Sequence, residues 1–257
     1  MIDFHNHLIP GVDDGSSDAE QSRAGLATFH AQGVRRVVCT PHVAGEITRV
    51  PELLAARLEE LDEGWQAMQG VAAEFADMEV LRGAEVMLDT PEPNLSDPRL
   101  RLGGTQFVLV EFPFMSVPPN GPKALFELKM RGWSPILAHP ERYGNASSRL
   151  EDAEEWRRVG AGLQVNCGSL LGKYGEPAHS LAWKLMERGW VDYLSSDYHA
   201  RGTSPVEECR RELERRGAGE QAVLLMETNP ARLLAGKAPL PVPPLERPRP
   251  LWRRLFG

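Results

Sequence analysis

The sequence has 257 residues, 42% hydrophobic and 25% charged, which is the composition of a folded globular protein. Its net charge of −7 disfavours general nucleic-acid binding, and no apolar run approaches the roughly 20 residues of a membrane span. Three widely spaced cysteines offer neither a disulfide framework nor a CxxC metal site. Because no signal sequence precedes the first polar motif, we expect a cytoplasmic protein.

Short β-branched segments alternate with longer helical patterns along most of the chain. Strands are predicted at residues 2–4, 36–40, 79–82, 107–110, 135–138, 163–165 and 192–195. Helices are predicted at residues 18–32, 51–76, 122–131, 150–159 and 177–188, and then at 205–216, 219–227 and 229–234. This alternation predicts an α/β fold with parallel strands joined by crossover helices.

Glycines and apolar stripes support the predicted helices. The helix at 177–188 places apolar residues on one face, at Ala178, Leu181, Ala182 and Leu185. Four glycines stand where a helix would stop before the next strand, namely Gly33, Gly132, Gly160 and Gly189. Glycine is the preferred residue at such helix ends because it adopts a left-handed backbone without strain.

Histidines and acids stand at the ends of six of the seven predicted strands, and they are His5, His7, His42, Glu85, Glu111, His139, Asp197 and His199. The carboxyl ends of parallel strands form the active face of barrels and open α/β sheets. Asp14, in the turn-like stretch after the first strand, could fold back onto the same site. Histidines that merely pack in a core would not recur at the ends of successive strands. The pattern therefore predicts metal binding.

Nine candidate ligands are too many for a single ion and indicate two or three divalent ions. Mixed imidazole and carboxylate donors favour manganese, iron or zinc over calcium, which prefers oxygen ligands alone. We expect Mn²⁺, with Fe or Zn as alternatives. His30 and His179 fall inside predicted helices and are interpreted as ordinary surface or packing residues.

Several motifs together resemble the polymerase-and-histidinol-phosphatase (PHP) superfamily, and they are Asp3-x-His5-x-His7, Asp14-Gly15, Thr40-Pro-His42, Gly83-Ala-Glu85, His139-Pro-Glu-Arg142-Tyr143 and Ser196-Asp-x-His199. The match extends from Met1 to about Leu234. The segments Asp13-Asp14-Gly15, Val110-Glu-Phe112 and His139-Pro-Glu-Arg142-Tyr143 point more narrowly to one branch. That branch is the bacterial PHP-type protein-tyrosine phosphatases that act with capsular and exopolysaccharide biosynthesis systems.

The resemblance implies a distorted, TIM-like (β/α)7 barrel with a trinuclear metal centre at the carboxyl ends of its strands. It also implies dephosphorylation of phosphotyrosine on a bacterial tyrosine kinase that governs polysaccharide assembly. The family has a further arginine a few residues past the last metal-binding histidine. No residue stands in register with it here, and Arg201, two residues after His199, is the nearest candidate.

The expected chemistry is attack on phosphorus by a metal-activated hydroxide. Arg142 and Asp197 are the candidate catalytic residues, and Arg142 and Arg201 are the candidate substrate-binding residues. Arg142 follows His139 by three positions and could hold the phosphate through two charge-assisted hydrogen bonds. The alternative for Arg142 is a structural ion pair with an acid such as Glu141.

A cysteine mechanism can be weighed against metal chemistry, because Cys209 and Arg215 satisfy the spacing C-x5-R. The five intervening residues contain two acids and lack glycine. Such a segment is typical of a charged helix face, whereas a phosphate-binding loop presents its backbone N–H groups. We therefore interpret the spacing as coincidental.

Other functions remain open at this point. A PHP phosphatase of a small phosphomonoester, such as histidinol phosphate, would use the same metal chemistry. A PHP nuclease or polymerase-editing domain is disfavoured by the acidic balance, and a non-catalytic kinase regulator is disfavoured by the intact set of ligands. We expect a metallophosphatase domain at residues 1–236 and a proline-rich basic tail at 237–257, either solvated or in contact with a partner or a membrane surface.

Overall fold

The computed structural model describes residues 1–144 and 150–245 of the chain. Its strands are β1 (Ile2–Asp3), β2 (Arg36–Cys39), β3 (His42–Ala44), β4 (Glu79–Arg82), β5 (Glu85–Met87), β6 (Phe107–Glu111), β7 (Ser134–Ala138), β8 (Gly162–Asn166) and β9 (Tyr193–Ser195). Every strand pairing among them is parallel. The predicted parallel α/β architecture is therefore confirmed.

The helices follow the strands in the expected alternation. They are α1 (Ala19–Ala31), α2 (Pro51–Ala72), α3 (Gly121–Met130), α4 (Leu150–Arg158), α5 (Cys167–Leu170), α6 (Glu176–Glu187), α7 (Val206–Arg215), α8 (Gly219–Val223) and α9 (Asn229–Leu234). A π-helical stretch, Leu224–Thr228, joins α8 to α9. Within the described residues, we find no helix that combines the length and apolarity required to cross a membrane.

The strands form two sheets, with the orders β1-β2-β4 and β3-β5-β6-β7-β8-β9. Strands β3 and β5, which are short and directly continue β2 and β4, were not predicted from the sequence. Two backbone hydrogen bonds join the β2–β3 segment to the β4–β5 segment at the boundary between the sheets. They run from Gly83 N to Cys39 O (2.9 Å) and from Glu85 N to Pro41 O (3.0 Å). Pro41 has no N–H to donate, which explains why the ladder is interrupted at that point.

The segments that follow β1 and β9 also meet. Asp197 N donates to His5 O at 2.8 Å, and His7 N donates to Tyr198 O at 2.9 Å. Directly after β1, the backbone N–H groups of Phe4 and His5 donate hydrogen bonds to the hydroxyl of Ser195 at the end of β9. Isolated hydrogen bonds therefore replace a continuous backbone ladder between β1 and β9. The strands form two sheets at the position of the barrel implied by the resemblance, and a closed barrel is not confirmed.

Helix ends and apolar faces agree with the sequence pattern. The glycines predicted to end helices have backbone φ angles of 81°, 89°, 96° and 64° at Gly33, Gly132, Gly160 and Gly189. On α6, the side chains of Ala178, Ala182 and Leu185 are buried against the core, as the stripe predicts. Packing of such apolar faces against the sheets supplies the main stabilisation of the fold.

The first part of the proline-rich tail packs against the rest of the protein. Val242 is buried, Leu240 N donates to Asn229 Oδ1 at 2.8 Å, and Leu245 N donates to Met186 O at 3.1 Å. The segment at residues 237–245 is therefore anchored to the fold at these points, while most of its side chains remain exposed, as expected for a solvated tail. The remainder of the predicted tail, residues 246–257, lies outside the described residues.

Candidate metal centre

All nine candidate ligands lie together at the carboxyl ends of the strands. Their donor atoms form four overlapping groups, and within each group the atoms lie within 4.8 Å of one another. The groups are His7, Asp14, His42 and His199; His5, Glu85 and His139; His5, His7 and Asp197; and His42, Glu85 and Glu111. The structure thus brings together residues that are spread over almost 200 positions of sequence.

Glu85 occupies the centre of this cluster and is fully buried. Its Oε2 lies 3.2 Å from Nε2 of His5 and 3.5 Å from Nε2 of His7. The same oxygen lies 3.2 Å from Nδ1 of His42, and Oε1 lies 3.0 Å from Nε2 of His139. One carboxylate therefore faces four imidazoles.

The far nitrogens of two imidazoles are already held by other side chains. His5 Nδ1 lies 2.7 Å from Gln164 Oε1, and His7 Nδ1 lies 2.7 Å from Asp13 Oδ2. Because each Nδ1 can donate its hydrogen to these oxygens, each Nε2 keeps a lone pair directed into the cluster. Both Nε2 atoms, and Oε2 of Glu85, are buried and make no hydrogen bond to any residue that the structure describes.

Buried polar atoms normally find a partner, because leaving one unpaired is costly in free energy. Here the unpaired atoms are imidazole and carboxylate lone pairs that point at one another. A divalent cation among them would satisfy all of these lone pairs at once. The donor set therefore fits the divalent ions that the sequence analysis expected.

The electrostatics of the cluster agree with this fit. Burial lowers the pKa of the His5 imidazole, but the charges of Glu85 and Asp197 outweigh burial and raise that pKa to about 9. Burial likewise acts to raise the pKa of Glu85, but the charge of His5 and the hydrogen bond from His139 hold it well below its usual range. The acidic field that attracts protons to His5 also favours cations, and metal binding would release those protons.

Two of the candidate ligands have unusual backbone conformations. The φ angle is 35° at His139 and 53° at Asp197, in the left-handed region that costs non-glycine residues free energy. Asp197 is held in this conformation by the hydrogen bond from its N–H to His5 O. Strain of this kind clusters at functional sites, where the surrounding structure maintains it.

Several residues that orient the candidate ligands were not predicted from the sequence. Asp13 was considered only as part of the Asp13-Asp14-Gly15 segment, yet it holds His7 and accepts a hydrogen bond from His42 N. Gln164 and Asn166 lie on β8, the one predicted strand that lacked a candidate ligand, and Asn166 Nδ2 donates to Asp197 Oδ2 at 2.8 Å. Polar residues at alternate positions of an otherwise apolar strand were the signal that could have identified them.

Arg142 lies beside the cluster, in the turn that follows β7. Its Nη1 donates to Oδ2 of Asp197, and its Cζ lies 4.2 Å from the ring centroid of Tyr174. The alternative ion pair with Glu141 is not formed. The buried Glu141 carboxylate instead accepts hydrogen bonds from Ser169 Oγ (2.6 Å) and from a backbone N–H.

A cleft of about 370 Å³ opens beside the cluster, and its walls include Asp197, His199, Tyr174 and three cations. The cations are Arg142, Lys173 and Arg201. The side chain of Arg201 is 71% exposed and donates from Nη2 to Asp14 O at 2.6 Å. Arg142 and Arg201, the candidate substrate-binding residues, therefore share one cleft, and Lys173 is a cation that the sequence analysis did not identify.

The remaining polar residues singled out in the sequence lie elsewhere. His30 pairs with Asp77 at the surface, and His179 accepts a hydrogen bond from the indole N–H of Trp183. Cys209 is buried within α7, which confirms that the C-x5-R spacing falls on a helix.

Comparison with known proteins supports the resemblance seen in the motifs. The family model described as "Capsular polysaccharide synthesis, CpsB/CapC" matches residues 1–235. Tyrosine-protein phosphatase YwqE of Bacillus subtilis is 30% identical over 263 residues, which cover 100% of this chain and 99% of YwqE. Tyrosine-protein phosphatase CpsB of Streptococcus pneumoniae is 27% identical, covering 91% of this chain and 98% of CpsB.

The fold is similar as well. A chain from the crystal structures of YwqE from Bacillus subtilis and CpsB from Streptococcus pneumoniae, described as unique metal-dependent tyrosine phosphatases, aligns with a TM-score of 0.76 and 26% identity. The alignment covers 97% of this chain and 100% of that chain. With its motifs, its fold and its relatives in agreement, the chain belongs to the CpsB/CapC family of capsular polysaccharide synthesis.

Proposed function

We propose that this protein is a metal-dependent protein-tyrosine phosphatase whose substrate is a bacterial tyrosine kinase that controls polysaccharide synthesis. The observation that carries the proposal is the cluster of five imidazoles and four carboxylates beside a cationic cleft. The substrate class is supported by the relatives, since YwqE and CpsB are both named tyrosine-protein phosphatases.

The proposed ligands are His5, His7, Asp14, His42, Glu85, Glu111, His139, Asp197 and His199. Their four overlapping groups are compatible with two or three divalent ions. We propose Mn²⁺ as the metal, with Fe or Zn as alternatives, because these ions accept mixed imidazole and carboxylate donors.

Bound divalent ions would polarise the phosphoryl oxygens and lower the pKa of a bound water to near 7. In the proposed reaction, the oxygen of water joins phosphorus while the bond from phosphorus to the tyrosine oxygen breaks. The phenol and inorganic phosphate are the products, and no phosphorylated enzyme is required. Arg142 would contact the phosphoryl oxygens from the cleft, where its charge compensates the charge that develops on them.

Asp197 has two proposed roles that its contacts support. Its Oδ1 faces His5 and His7 at 3.4 and 3.5 Å, which suits a metal ligand. Its Oδ2 accepts hydrogen bonds from Arg142 and Asn166 and so orients the phosphate-binding guanidinium. Arg201 is a second proposed phosphate contact, although its exposure allows it a weaker hold on the substrate.

The alternative substrate is a small phosphomonoester such as histidinol phosphate, because the metal chemistry would be the same. The deciding experiment compares hydrolysis of phosphotyrosine peptides with hydrolysis of histidinol phosphate, at equal metal loading. We expect the peptides to be turned over with the higher kcat/KM in the presence of Mn²⁺, and both activities to be lost with a chelator. Preferential turnover of histidinol phosphate would contradict the proposed substrate.

We also propose that the metallophosphatase domain ends at about residue 236, with the tail at 237–257. The family match over residues 1–235 supports this boundary. The cytoplasm is the proposed location, since a bacterial tyrosine kinase would present its phosphotyrosines there. Localisation of a fluorescent fusion of the full chain would test this.

A further inference from the structure

Tyr174 lies in the short loop between α5 and α6, and the proposed reaction gives it no role. Its side chain is partly exposed and lines the cleft together with Arg142. The Cζ atom of Arg142 lies over its ring, 4.2 Å from the centroid. At this distance the negative face of an aromatic ring attracts a guanidinium electrostatically.

The loop holds the Tyr174 ring in a defined place. Gly172 and Gly175 flank the residue with φ angles of 75° and 86°, a backbone conformation that favours glycine. On the other side, a Cβ atom added to Gly168 would lie 2.8 Å from Cε2 of the ring. The ring therefore packs closely against a position that only glycine leaves open.

Arg142 is consequently held by two groups of different chemistry. Asp197 accepts a hydrogen bond from Nη1, and Tyr174 covers the guanidinium with its ring. Arginine is a long side chain, and ordering it on binding costs conformational entropy. A guanidinium that is already held in place avoids part of that cost and binds phosphate more tightly.

We propose that Tyr174 is a positioning residue, whose ring face holds the Arg142 guanidinium in the orientation that receives a phosphate group. The inference rests on the proposed function, because it takes Arg142 as the phosphate-binding arginine. The contribution of Tyr174 to phosphate binding comes from the face of its ring, so the phenol hydroxyl is dispensable. The inference also requires that any effect of Tyr174 passes through Arg142.

A double-mutant cycle tests this requirement. The variants are Tyr174→Phe and Tyr174→Leu, each made in the wild-type protein and in Arg142→Ala. Affinity for inorganic phosphate is measured by calorimetry on Mn²⁺-loaded full-length protein, and metal content is measured in parallel. In the wild-type background, we expect Tyr174→Leu to weaken phosphate binding by about three- to tenfold and Tyr174→Phe by less than about twofold.

In the Arg142→Ala background, Tyr174→Leu should have less than about a twofold effect, because the group that it positions is gone. An equal loss in both backgrounds would overturn the proposal, and so would a loss in Tyr174→Phe as large as in Tyr174→Leu. Unchanged phosphate affinity in Tyr174→Leu would also overturn it. Phosphate binding is measured apart from hydrolysis, so a protein that binds phosphate without cleaving phosphotyrosine contradicts only the proposed substrate.

A second variant covers the case in which Tyr174→Leu does not fold. Gly168→Ala displaces the ring without removing it, because the new Cβ would meet Cε2 at 2.8 Å. We expect it to weaken phosphate binding to a similar extent, again only when Arg142 is present. Gly70→Ala is the matched control, since a Cβ at Gly70 on α2 would meet no atom of the described residues within 4 Å. Unchanged phosphate affinity in Gly168→Ala would overturn the proposal.

Discussion

Arg142 and Asp197 are joined by a hydrogen bond from Nη1 to Oδ2, although they lie 55 positions apart and follow different strands. The Asp197 side chain is almost fully buried and the Arg142 side chain is 25% exposed. A charge-assisted bond in such surroundings is stronger than a surface ion pair, because water screens it less. The pair connects the proposed phosphate contact to the proposed metal centre.

We expect Arg142→Ala to fold normally, to keep its metal and to lose most of its activity. Removing a donor that acts on developing charge typically lowers the rate by ~10²–10³, about 3–4 kcal/mol. Arg142→Lys should restore activity only in part, because an ammonium cannot reproduce the planar fork of a guanidinium. Steady-state kinetics on a phosphotyrosine peptide, with metal analysis of each variant, check the prediction.

Two other results would change this assignment. Full activity in Arg142→Ala would mean that another cation contacts the phosphate, and Arg201 is the next candidate. A loss of metal would mean that Arg142 mainly supports Asp197 and the ligand cluster.

Arg201→Ala is the matched control for Arg142→Ala, because both arginines line the same cleft. The side chain of Arg201 is 71% exposed, and its hydrogen bond goes to the backbone oxygen of Asp14. Contacts of such exposed charges contribute little, typically about 1 kcal/mol or less. We expect kcat/KM to fall by less than about tenfold. A loss equal to that in Arg142→Ala would make the two arginines a joint phosphate clamp.

Activity should depend on metal and be independent of thiols. Cys209 is fully buried on α7, and Arg215 pairs with Glu212 on the same helix, so neither forms a phosphate loop. Chelator treatment should abolish hydrolysis, Mn²⁺ should restore it, and Cys209→Ser should stay active. Hydrolysis assays of treated, reconstituted and mutant protein give the answer. An inactive Cys209→Ser that is folded and metal-loaded would contradict the metal mechanism.

The sequence could predict elements whose signal is local. The apolar stripe on α6 and the glycines at the ends of four helices depend on neighbouring residues, so a local sequence pattern is enough to predict them. The strands β3 and β5 were missed because each has three residues and directly follows a longer strand. They become strands through pairing with each other and with β6, which a local pattern does not show.

The ligand cluster could be predicted because the carboxyl ends of parallel strands converge, whatever the details of the fold. The partners that orient the ligands could not be predicted in this way. Gln164 lies 159 positions from His5 in sequence. Their contact depends on the pairing of β8 with β9 and on the segment after β9 meeting the end of β1. The same holds for Arg142, for which the sequence suggested Glu141 and the fold provides Asp197.

Removal of the tail should affect stability more than chemistry. Residues 238 and 239 lie near the amino ends of the strands, beside Phe107, Ser134 and Gly162, and so on the face opposite the cluster. A chain ending at Gly236 loses the buried Val242 and the backbone bonds of Leu240, together worth about 2–4 kcal/mol.

Chemical denaturation should show this loss for a chain that ends at Gly236, with kcat on a small aryl phosphate unchanged. A chain that ends at Leu245 keeps these contacts and is the matched control, so it should be more stable than the chain that ends at Gly236. A tenfold drop in kcat for the folded, shorter chain would show that the tail reaches the active site.

The orientation of His5 by Gln164 should set metal affinity. Gln164 Oε1 accepts from His5 Nδ1 and so keeps Nε2 available to an ion, and Gln164→Leu preserves the volume while removing this acceptor. Loss of such a partner typically weakens metal binding by about 10–100-fold. Competition with a fluorescent chelator measures the Mn²⁺ affinity, and Gln106→Leu is the control, because Gln106 bonds Gly236 O instead. Equal affinity in Gln164→Leu and Gln106→Leu would mean that the cluster orients His5 without help from β8.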